Sequence, residues 1–418
     1  MKIKNKSTIK IQIQYLFFFL LGIAWFSSCD KEDVIPTKIQ EVKSEKTSSV
    51  LLYIIADNDL SQDAIHNMDK VEEGMKRSKS EGDIYIYYDG ESGSLDNPPL
   101  LLRVSNSESV GYKKDTVKVY PEANSASKER FDLVLSDYVN KTKAIDRKGL
   151  ILWSHGSGWL PACFPNCEVQ TRSFGEDLSE DKYGKIPVAY SMEIKDLVDA
   201  IPQNTFEYII FDACLMQCVE VAYQLRHKTN YILGGTSLLP AVGHPYQLFI
   251  PLLLQENIDY VNIAQTVFNS YALNERENGG ASYSLVETKE LEKLAFVMNK
   301  IMKKYKLEEI HNKWSTRKIQ GFDYAYGDPI FYDLIHYVHS FASQDDLTDL
   351  QMQLDKTVLF KNSTKTILSG GRSSKWPRYI TVNFYSGLSM NRFGNDDIKK
   401  MGINAAYKEL DWYKDVYL

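Results

Sequence analysis

The chain has 418 residues, of which 44% are hydrophobic and 25% charged, a composition typical of a globular protein with a sizeable core. Its formal net charge is −6 at pH 7. This balance argues against nucleic acid as the main partner, because a phosphate backbone is bound by a basic face. The five cysteines are too few for a fold held together by disulfides.

The N-terminus resembles the export signal of a bacterial lipoprotein. Four lysines precede an apolar run over residues 15–26, which is shorter than the roughly 18 residues that span a bilayer. Cys29 follows this run, and charged residues come next. We therefore expect a signal peptide over residues 1–28, acylation of Cys29 and a flexible stalk over residues 29–48. The protein would then be extracytoplasmic and anchored by lipid to a bacterial membrane, in the outer membrane or at the cell surface. A plain secretory signal is the alternative.

From residue 49 onward, apolar runs alternate with amphipathic stretches, as in a parallel sheet flanked by helices. The predicted strands cover residues 50–56, 84–88, 100–104, 149–153, 208–211, 231–235, 282–286 and 378–384, and the predicted helices cover residues 60–75, 131–139, 192–201, 216–227 and 289–305. The pattern changes near residue 278. We therefore predict an α/β fold with an open, mainly parallel sheet over residues 49–277, and a C-terminal α+β subdomain over residues 278–418 packed on it.

A histidine and a cysteine each follow the end of a predicted buried strand. His155 comes two residues after the strand at 149–153, and Cys214 comes three residues after the strand at 208–211. Reactive groups of an open α/β sheet gather beyond the carboxyl ends of its strands, so we expect the two side chains to share one cleft. We also expect the thiol to lie at the N-terminus of the helix predicted at 216–227, where the helix dipole stabilises a thiolate.

These residue types suit the chemistry of a cysteine hydrolase. His155 would deprotonate the thiol of Cys214 and later protonate the leaving amine. Gly156 allows a sharp backbone turn, so that its amide and the amide of Cys214 would bind a developing oxyanion. The alternative is a buried structural cysteine and a hydrogen-bonded histidine that never meet.

Two sequence blocks resemble the clostripain family (peptidase family C11) of caspase-like cysteine peptidases. They are residues 152–159 (LWSHGSGW) and 211–216 (FDACLM), and the resemblance extends over most of the chain from about residue 49. It implies a caspase-like catalytic domain over residues 49–277, a dyad of Cys214 as nucleophile and His155 as base, and protein or peptide substrates. It implies no required cofactor, although calcium stays possible because some members of the family depend on it.

The resemblance also implies a preference for Arg or Lys at P1, the residue before the cut bond, through carboxylates in the S1 pocket that receives it. Asp212 matches one such acidic position, with helix capping as its alternative role. Residues 234–246, where family members carry several acids, contain none. A buried guanidinium requires a paired carboxylate. If Leu238 or Leu239 lines the pocket, a neutral or apolar side chain is preferred instead, so both preferences stay open.

The long polar segment 161–190 lies between the histidine and the cysteine. Relatives of this kind often activate themselves by a cut in this region, so the resemblance implies self-processing here. Arg172, Lys182 and Lys185 are the candidate sites. A solvated, charged loop without any cut is the alternative.

Three other hypotheses remain open. The pairs Cys163/Cys167 and Cys214/Cys218 suggest a zinc hydrolase, although their spacing is looser than that of structural zinc knuckles. Residues 57–63 have the acidic spacing of a calcium loop but lack its glycine and final glutamate, so helix capping is the preferred role. A catalytically silent lipoprotein that binds peptides or a partner is the main alternative to a peptidase.

Overall fold

The chain folds around one large sheet with helices on both sides. The computed structural model describes residues 48–91, 98–107, 111–161, 173–180, 187–273, 275, 279–305, 319–325, 329–371, 378–392 and 404–418. No helix of this described part is both long enough and apolar enough to cross a bilayer. Several predicted features lie outside the described residues: the signal peptide, Cys29, most of the stalk, Cys163, Cys167, Arg172, Lys182 and Lys185.

The strands are β1 (Ser48–Ile55), β2 (Asp83–Asp89), β3 (Leu100–Ser107), β4 (Gly111–Val119), β5 (Arg147–Trp153), β6 (Phe174–Glu180), β7 (Pro187–Met192), β8 (Tyr208–Asp212), β9 (Tyr231–Gly235), β10 (Ser282–Glu287), β11 (Phe331–Asp333), β12 (Val358–Ser363), β13 (Thr366–Leu368), β14 (Tyr379–Thr381) and β15 (Ser389–Asn391). The helices are α1 (Ser61–Arg77), α2 (Lys128–Lys141), α3 (Ile194–Ala200), α4 (Val219–Gln224), α5 (Tyr246–Leu253), α6 (Tyr260–Leu273), α7 (Leu291–Lys304), α8 (Leu334–His339), α9 (Gln344–Thr357), α10 (Asn404–Glu409) and α11 (Asp411–Tyr417).

Nine of these strands form the main sheet, in the order β12-β10-β9-β8-β5-β1-β2-β3-β4. The five central strands β9, β8, β5, β1 and β2 run parallel to their neighbours within this set, and the strands at both edges are antiparallel. The predicted open, mainly parallel sheet is therefore confirmed. The strand order reverses between β1 and β5, because β2 lies on one side of β1 while β5, β8 and β9 follow on the other. Ligands of such sheets bind outside the carboxyl ends of the strands at this switch point.

The central strands are apolar on both faces because helices cover both faces of the sheet. In β1, alternate side chains enter two separate hydrophobic clusters, Leu51, Tyr53 and Ile55 on one side and Val50, Leu52 and Ile54 on the other. Helices α1, α5 and α6 pack on the second cluster, and the other described helices that supply core residues pack on the first. This two-sided burial explains why the strands are continuous apolar runs in the sequence.

The C-terminal part of the chain contributes to the same sheet. Strand β10 pairs antiparallel with β9, and β12 pairs antiparallel with β10. Residues 44–418 form one compact unit. The change of pattern near residue 278 therefore marks a reversal of strand direction within the sheet, and the helices that follow supply core residues to the first hydrophobic cluster.

Two local predictions differ from the structure. The helix predicted at 216–227 is reduced to α4, which begins at Val219 and ends at Gln224. The segment 161–190, predicted to be a loop, contains β6 and most of β7, which pair as an antiparallel hairpin. The strands were missed because β6 (FGEDLSE) is mainly polar and β7 (PVAYSM) begins with a proline, so neither has the alternating apolar pattern on which a strand prediction depends.

A buried carboxylate at the end of β2 is hydrogen-bonded to the segment that precedes α2. Asp89 is 1% exposed, and Ser125 Oγ donates a hydrogen bond to its Oδ2. The same hydroxyl lies 2.5 Å from the Tyr87 hydroxyl. Burial raises the pKa of Asp89 to about 8 in spite of the hydrogen bond from Ser125, and the nearby charge of Asp177 contributes to the increase.

The difference in the free energy of unfolding between Asp89→Asn and wild type should shift in favour of the variant as the pH rises. An unfolded aspartate has a pKa of about 4. The folded wild type therefore binds an extra proton between about pH 4 and pH 8, and its stability falls as the pH rises through this window. Relative to wild type, the free energy of unfolding of Asp89→Asn should increase by up to about 1.4 kcal/mol per pH unit there.

Urea denaturation at pH 5 and pH 8 measures this difference. Asp349→Asn, on the exposed side of α9, is the matched control and should show no such trend. A constant stability difference between Asp89→Asn and wild type across the window would contradict the prediction.

Candidate active site

The carboxyl ends of β5 and β8 lie side by side. Trp153 and Asp212 are directly paired in the parallel register of these strands, and His155 and Cys214 each lie two residues further on. Neighbouring strands are about 4.8 Å apart. Both side chains line one cavity of about 310 Å³. The structure therefore brings together the two residues that the sequence singled out.

The cavity is built from the ends of four parallel strands and one residue of the C-terminal part. Its walls are mainly apolar, and its lining residues are Leu60, Trp153, Ser154, His155, Gly156, Asp212, Ala213, Cys214, Leu238, Leu239, Pro240, Ala241, Gly243 and Leu368. This position, across the point where the strand order reverses, is where an open α/β sheet is expected to bind its ligand. Leu238 and Leu239 both lie in the cavity wall.

The thiol of Cys214 is held by the loop that follows β9. The Leu239 amide donates a hydrogen bond to Sγ at 3.3 Å, and the thiol lies 3.8 Å from the Leu239 carbonyl oxygen. Burial raises the pKa of Cys214 to about 11, although the Leu239 amide lowers it, and the charges of Asp323 and Asp212 add to the increase. The predicted stabilisation of a thiolate by a helix N-terminus is therefore wrong for this conformation.

The reason is that the chain after Cys214 binds to the end of β9 and its loop, and α4 begins only at Val219. Leu215 donates its amide to the Ser237 carbonyl at 3.1 Å, and Gln217 donates its amide to the Gly235 carbonyl at 3.1 Å. Leu215 has φ of 63°, a conformation that side-chain-bearing residues rarely adopt. A backbone outlier next to a reactive group is a known feature of functional sites.

The imidazole of His155 contacts two carboxylates. Nε2 lies 2.7 Å from Asp59 Oδ1 and 3.7 Å from Glu176 Oε2. The histidine side chain is 23% exposed and that of Asp59 is 82% exposed, so this pair reaches the solvent. A carboxylate can only accept from a neutral imidazole, which assigns the proton of the neutral ring to Nε2 and leaves Nδ1 as the basic nitrogen.

Gly156 lies where no other residue fits. A Cβ atom built there would be 2.7 Å from the Cys214 carbonyl oxygen and 3.1 Å from the Ala213 Cβ. Gly156 pairs with Phe174 across an antiparallel bridge. The flanking hydrogen bonds, from Gly175 to His155 and from Ser157 to Ser173, leave the amide of Gly156 directed away from Phe174.

Asp212 belongs to a buried network rather than to an open acidic pocket. Its Oδ2 accepts hydrogen bonds from the His244 amide at 2.9 Å and from the Tyr246 hydroxyl at 2.8 Å. Its Oδ1 lies 3.1 Å from Nδ1 of His244. Burial alone would raise the pKa of Asp212, but His244 and Tyr246 lower it below its usual value. The side chain lines the cavity while both of its oxygens bind within the protein. It does not cap α4.

Sequence reasoning missed three residues that contact side chains lining the cavity. His244 is fully buried and contacts the hydroxyls of Tyr271 and Tyr283 as well as Asp212. Asp59 was considered only within the segment 57–63, as a helix cap or calcium ligand, and no role was predicted for Glu176. The position of Asp59 directly beyond β1 is a signal that could have identified it, because β1 is the neighbour of β5 in the sheet.

The acidic segment 57–59 does not fit a calcium loop. Asn58 donates to the Glu176 carbonyl at 2.6 Å and accepts from the Leu60 amide at 2.9 Å, and Asp59 contacts His155. The Asn58 contact precedes α1 and is not a side-chain cap of that helix. Within the described ranges, no group of three or more His, Cys, Asp or Glu side chains is arranged to hold a metal ion.

The described cysteine pair does not form a common site. Cys214 lines the cavity, whereas Cys218 is fully buried in the hydrophobic cluster on one face of the sheet. Burial raises the pKa of Cys218 well above its usual value, so this thiol is neutral and unreactive. The packing supports its role as a small core residue.

A larger cavity of about 750 Å³ lies at the opposite edge of the sheet, beside the amino ends of β5, β8 and β9. Its lining is polar and of mixed charge, including Asp146, Glu207, Arg226 and Lys289. It contains no cysteine and no strand end of the carboxyl edge. The smaller cavity, which both His155 and Cys214 line, is therefore the candidate active site.

Comparison with known proteins identifies the family. The sequence model of the clostripain family of C11 peptidases matches residues 52–400. Clostripain of Hathewaya histolytica is 20% identical over 464 aligned residues, which cover 91% of this chain and 85% of that protein. An inactive zymogen C11 protease from Parabacteroides distasonis shares 28% sequence identity at a TM-score of 0.74, over 89% of this chain and 98% of that one. A secreted C11 cysteine protease from Bacteroides thetaiotaomicron, solved with an irreversible peptide inhibitor, shares 26% identity at a TM-score of 0.73, over 88% of this chain and 98% of that one.

The likeness to these two structures confirms the caspase-like α/β fold that the sequence predicts. The family match includes both the block around His155 and the block around Cys214. The chain therefore belongs to the clostripain family, and it is a cysteine endopeptidase.

Proposed function

We propose that Cys214 is the nucleophile and His155 the general base and acid of this peptidase. One observation carries the assignment: both side chains line a single cavity at the carboxyl edge of the sheet, each two residues beyond a directly paired position of β5 and β8. A thiol that attacks a peptide and an imidazole that moves the protons need this proximity. Chemistry of this kind uses groups of the protein itself and requires no cofactor.

The reaction follows from the contacts of each group. Nδ1 of His155 takes the proton of the Cys214 thiol while Nε2–H donates to Asp59. The sulfur attacks the carbonyl carbon of the substrate, and the resulting oxyanion accepts hydrogen bonds from the amides of Gly156 and Cys214. His155 then gives its proton to the leaving amine as the carbon–nitrogen bond breaks. Water, deprotonated by the same imidazole, hydrolyses the thioester and releases the thiol.

The raised pKa of Cys214 determines the protonation state of the thiol in the enzyme without substrate. Burial keeps the thiol protonated at neutral pH. The proton therefore has to be removed by His155 when a substrate is bound, since the site does not hold a ready thiolate. Small alkylating reagents such as iodoacetamide should consequently react slowly at neutral pH, because they attack the thiolate. A peptide that fills the cavity is required for fast reaction.

We further propose that the enzyme acts on protein or peptide substrates outside the cytoplasm. The Bacteroides thetaiotaomicron relative is a secreted protease that was solved with a peptide inhibitor, and this supports both statements for the present chain. The N-terminal sequence supports a lipid anchor at Cys29, in the outer membrane or at the cell surface. Calcium, which the family allows, has no step in the mechanism above.

Self-processing between His155 and Cys214 remains part of the proposal. The candidate positions Arg172, Lys182 and Lys185 belong to the connection between β5 and β8. The Parabacteroides distasonis relative was solved as an inactive zymogen, which supports control of activity by processing in this family. A cut in this connection would leave the register of β5 and β8 intact.

A peptidyl acyloxymethyl ketone tests the assignment of the dyad. This probe should label Cys214 with a stoichiometry of one, as mapped by mass spectrometry of proteolytic fragments. His155→Ala should slow the labelling by about 100-fold or more, because the thiol is neutral without its base. Cys218→Ala is the control and should be labelled like wild type. Labelling at another residue, or an unchanged rate in His155→Ala, would refute the dyad.

The same experiment separates the peptidase from a silent binding protein. A catalytically silent lipoprotein of this fold would bind the peptide probe without forming a covalent adduct at Cys214. The shared cavity of Cys214 and His155 favours the enzyme. For the zinc hydrolase, the burial of Cys218 in the core removes one of the four cysteines on which that hypothesis depends.

A further inference from the structure

The cavity beside the nucleophile offers an apolar surface to a substrate side chain. Leu60, Leu238, Leu239, Ala241 and Leu368 form its wall. A substrate side chain that enters a cavity next to the attacking sulfur is the P1 side chain, because P1 carries the carbonyl that is attacked. Burial of apolar surface is favourable by about 25 cal/mol per Å². The wall therefore favours an apolar P1 residue.

The acidic group of this wall already has its partners. Asp212 is the single carboxylate among the described residues that line the cavity. It accepts hydrogen bonds from His244 and Tyr246, both of which are fully buried. His244 is fixed in turn by the hydroxyls of Tyr271 and Tyr283, at 2.8 Å and 3.0 Å. An arginine or lysine at P1 could pair with Asp212 only by breaking this network.

A lysine of the protein itself also acts on Asp212. Lys70 on α1 donates a hydrogen bond to the Val242 carbonyl at 2.7 Å and lies 3.3 Å from Asn67 Oδ1. Burial lowers the pKa of Lys70, and the negative charge of Asp212 offsets part of this decrease, so the ammonium group lies within electrostatic range of that carboxylate. Lys70 does not line the cavity, but its contact with Val242 places its charge beside the lining residues Ala241 and Gly243. A cation at P1 would therefore meet repulsion from Lys70 while the cavity carboxylate Asp212 is already engaged.

A second acid near the nucleophile is also engaged. Asp323 affects Cys214 through its charge but does not line the cavity. Its Oδ1 accepts the amides of Gly370 at 2.7 Å and of Ala325 at 3.2 Å. The position of its carboxylate is thus fixed by the backbone of two loops.

We propose that the S1 pocket of this enzyme selects an uncharged, apolar P1 residue of the size of leucine or methionine and rejects arginine and lysine. This inference rests on the proposed function of Cys214 and His155. It assigns the specificity to the apolar wall, to the closed network around Asp212 and to the charge of Lys70. The basic preference implied by the family resemblance would then not apply to this chain.

A set of fluorogenic tetrapeptides that differ only at P1 tests the proposal. With P2 to P4 held constant, kcat/KM for leucine should exceed kcat/KM for arginine and for lysine by about 100-fold or more, since a buried unpaired cation costs several kcal/mol. Equal or faster cleavage after arginine or lysine would overturn the specificity while leaving the proposed dyad intact. Cleavage of no peptide, together with no covalent labelling of Cys214, would refute the proposed function and the inference with it.

Two variants test the cause of the selectivity. Ala241→Asp places a new carboxylate in the wall, and Lys70→Met removes the opposing charge. Each should raise the ratio of arginine to leucine cleavage by about 10-fold or more, because each removes part of the electrostatic penalty. Leu248→Asp, at an exposed position of α5 outside the cavity, is the matched control and should leave this ratio unchanged. An unchanged ratio in both test variants would contradict the assigned cause.

Discussion

Cys214→Ala should lower kcat/KM on a peptide substrate by about 10⁴-fold or more, to the level of the background reaction. In the proposed mechanism the thiol forms the covalent intermediate, and removal of such a nucleophile eliminates the catalysed pathway. Binding should be little affected, because the side chain contributes only a small part of the cavity wall. Steady-state kinetics with a fluorogenic peptide, together with a binding measurement for the same peptide, measures both effects.

Cys218→Ala is the matched control for this prediction. Cys218 is buried in the core and does not line the cavity, so its loss should affect stability rather than kcat/KM. If Cys214→Ala retained a tenth or more of wild-type activity, or if Cys218→Ala were equally inactive while still folded, the assignment of the nucleophile would be wrong.

The inactive variant also shows whether the enzyme cuts itself. Wild-type protein should separate into two fragments on incubation, and Cys214→Ala should stay in one piece. Two fragments from both proteins, or from neither, would refute self-processing. Mass spectrometry of the fragments would then show whether the cut follows Arg172, Lys182, Lys185 or another residue of the segment.

His155→Ala should lower kcat by about 10³-fold, at the upper part of the range for general acid and base catalysis. The effect should be large because burial raises the pKa of Cys214 to about 11, so that little thiolate exists at neutral pH without the base. Raising the pH should restore part of the activity of His155→Ala, as the thiol ionises by itself. The pH dependence of kcat in wild type and variant measures this. A variant whose activity did not rise between pH 7 and pH 10 would argue against His155 as the base.

Asp59→Asn should lower kcat in the same direction as His155→Ala, but by a smaller factor. Asp59 contacts Nε2 of His155 at 2.7 Å and should act as a positioning residue that favours the imidazolium. The exposure of its side chain limits the effect, and a decrease of kcat by about 3-fold to 30-fold with KM nearly unchanged is expected. Asp69→Asn, on the exposed side of α1, should leave both constants unchanged. A change confined to KM would point to substrate contact instead.

The central sheet could be predicted from sequence because its strands are buried on both faces. Runs such as those at β1, β5 and β8 are continuous and apolar, which makes the strands and their carboxyl ends easy to place. The hairpin of β6 and β7 and the true start of α4 could not be placed. The sequence of residues 215–217 extends the apparent helical pattern, but the amides of Leu215 and Gln217 bind the carbonyls of Ser237 and Gly235, so α4 begins only at Val219.

The same distinction applies to the site. His155 and Cys214 could be predicted because each closely follows the end of an apolar strand. This position alone predicted that the two side chains share one cleft. The role of His244 depends on contacts with Asp212 and Tyr283, which are 32 and 39 residues away in the chain. No local pattern encodes these contacts. The pKa of Cys214 was misjudged for the same reason, since it depends on how the loop after β9 covers the thiol.

The parallel pairing of β5 with β8 has a consequence for how the protein behaves once its chain is interrupted. His155 and Cys214 lie just beyond the ends of these strands, and each strand is also bonded to a second neighbour in the sheet. A break in the connection between them would put the two reactive side chains on different polypeptides that remain one particle. Such a heterodimer would run as two bands in denaturing electrophoresis and elute at the size of the intact protein in gel filtration, with its catalytic machinery undivided.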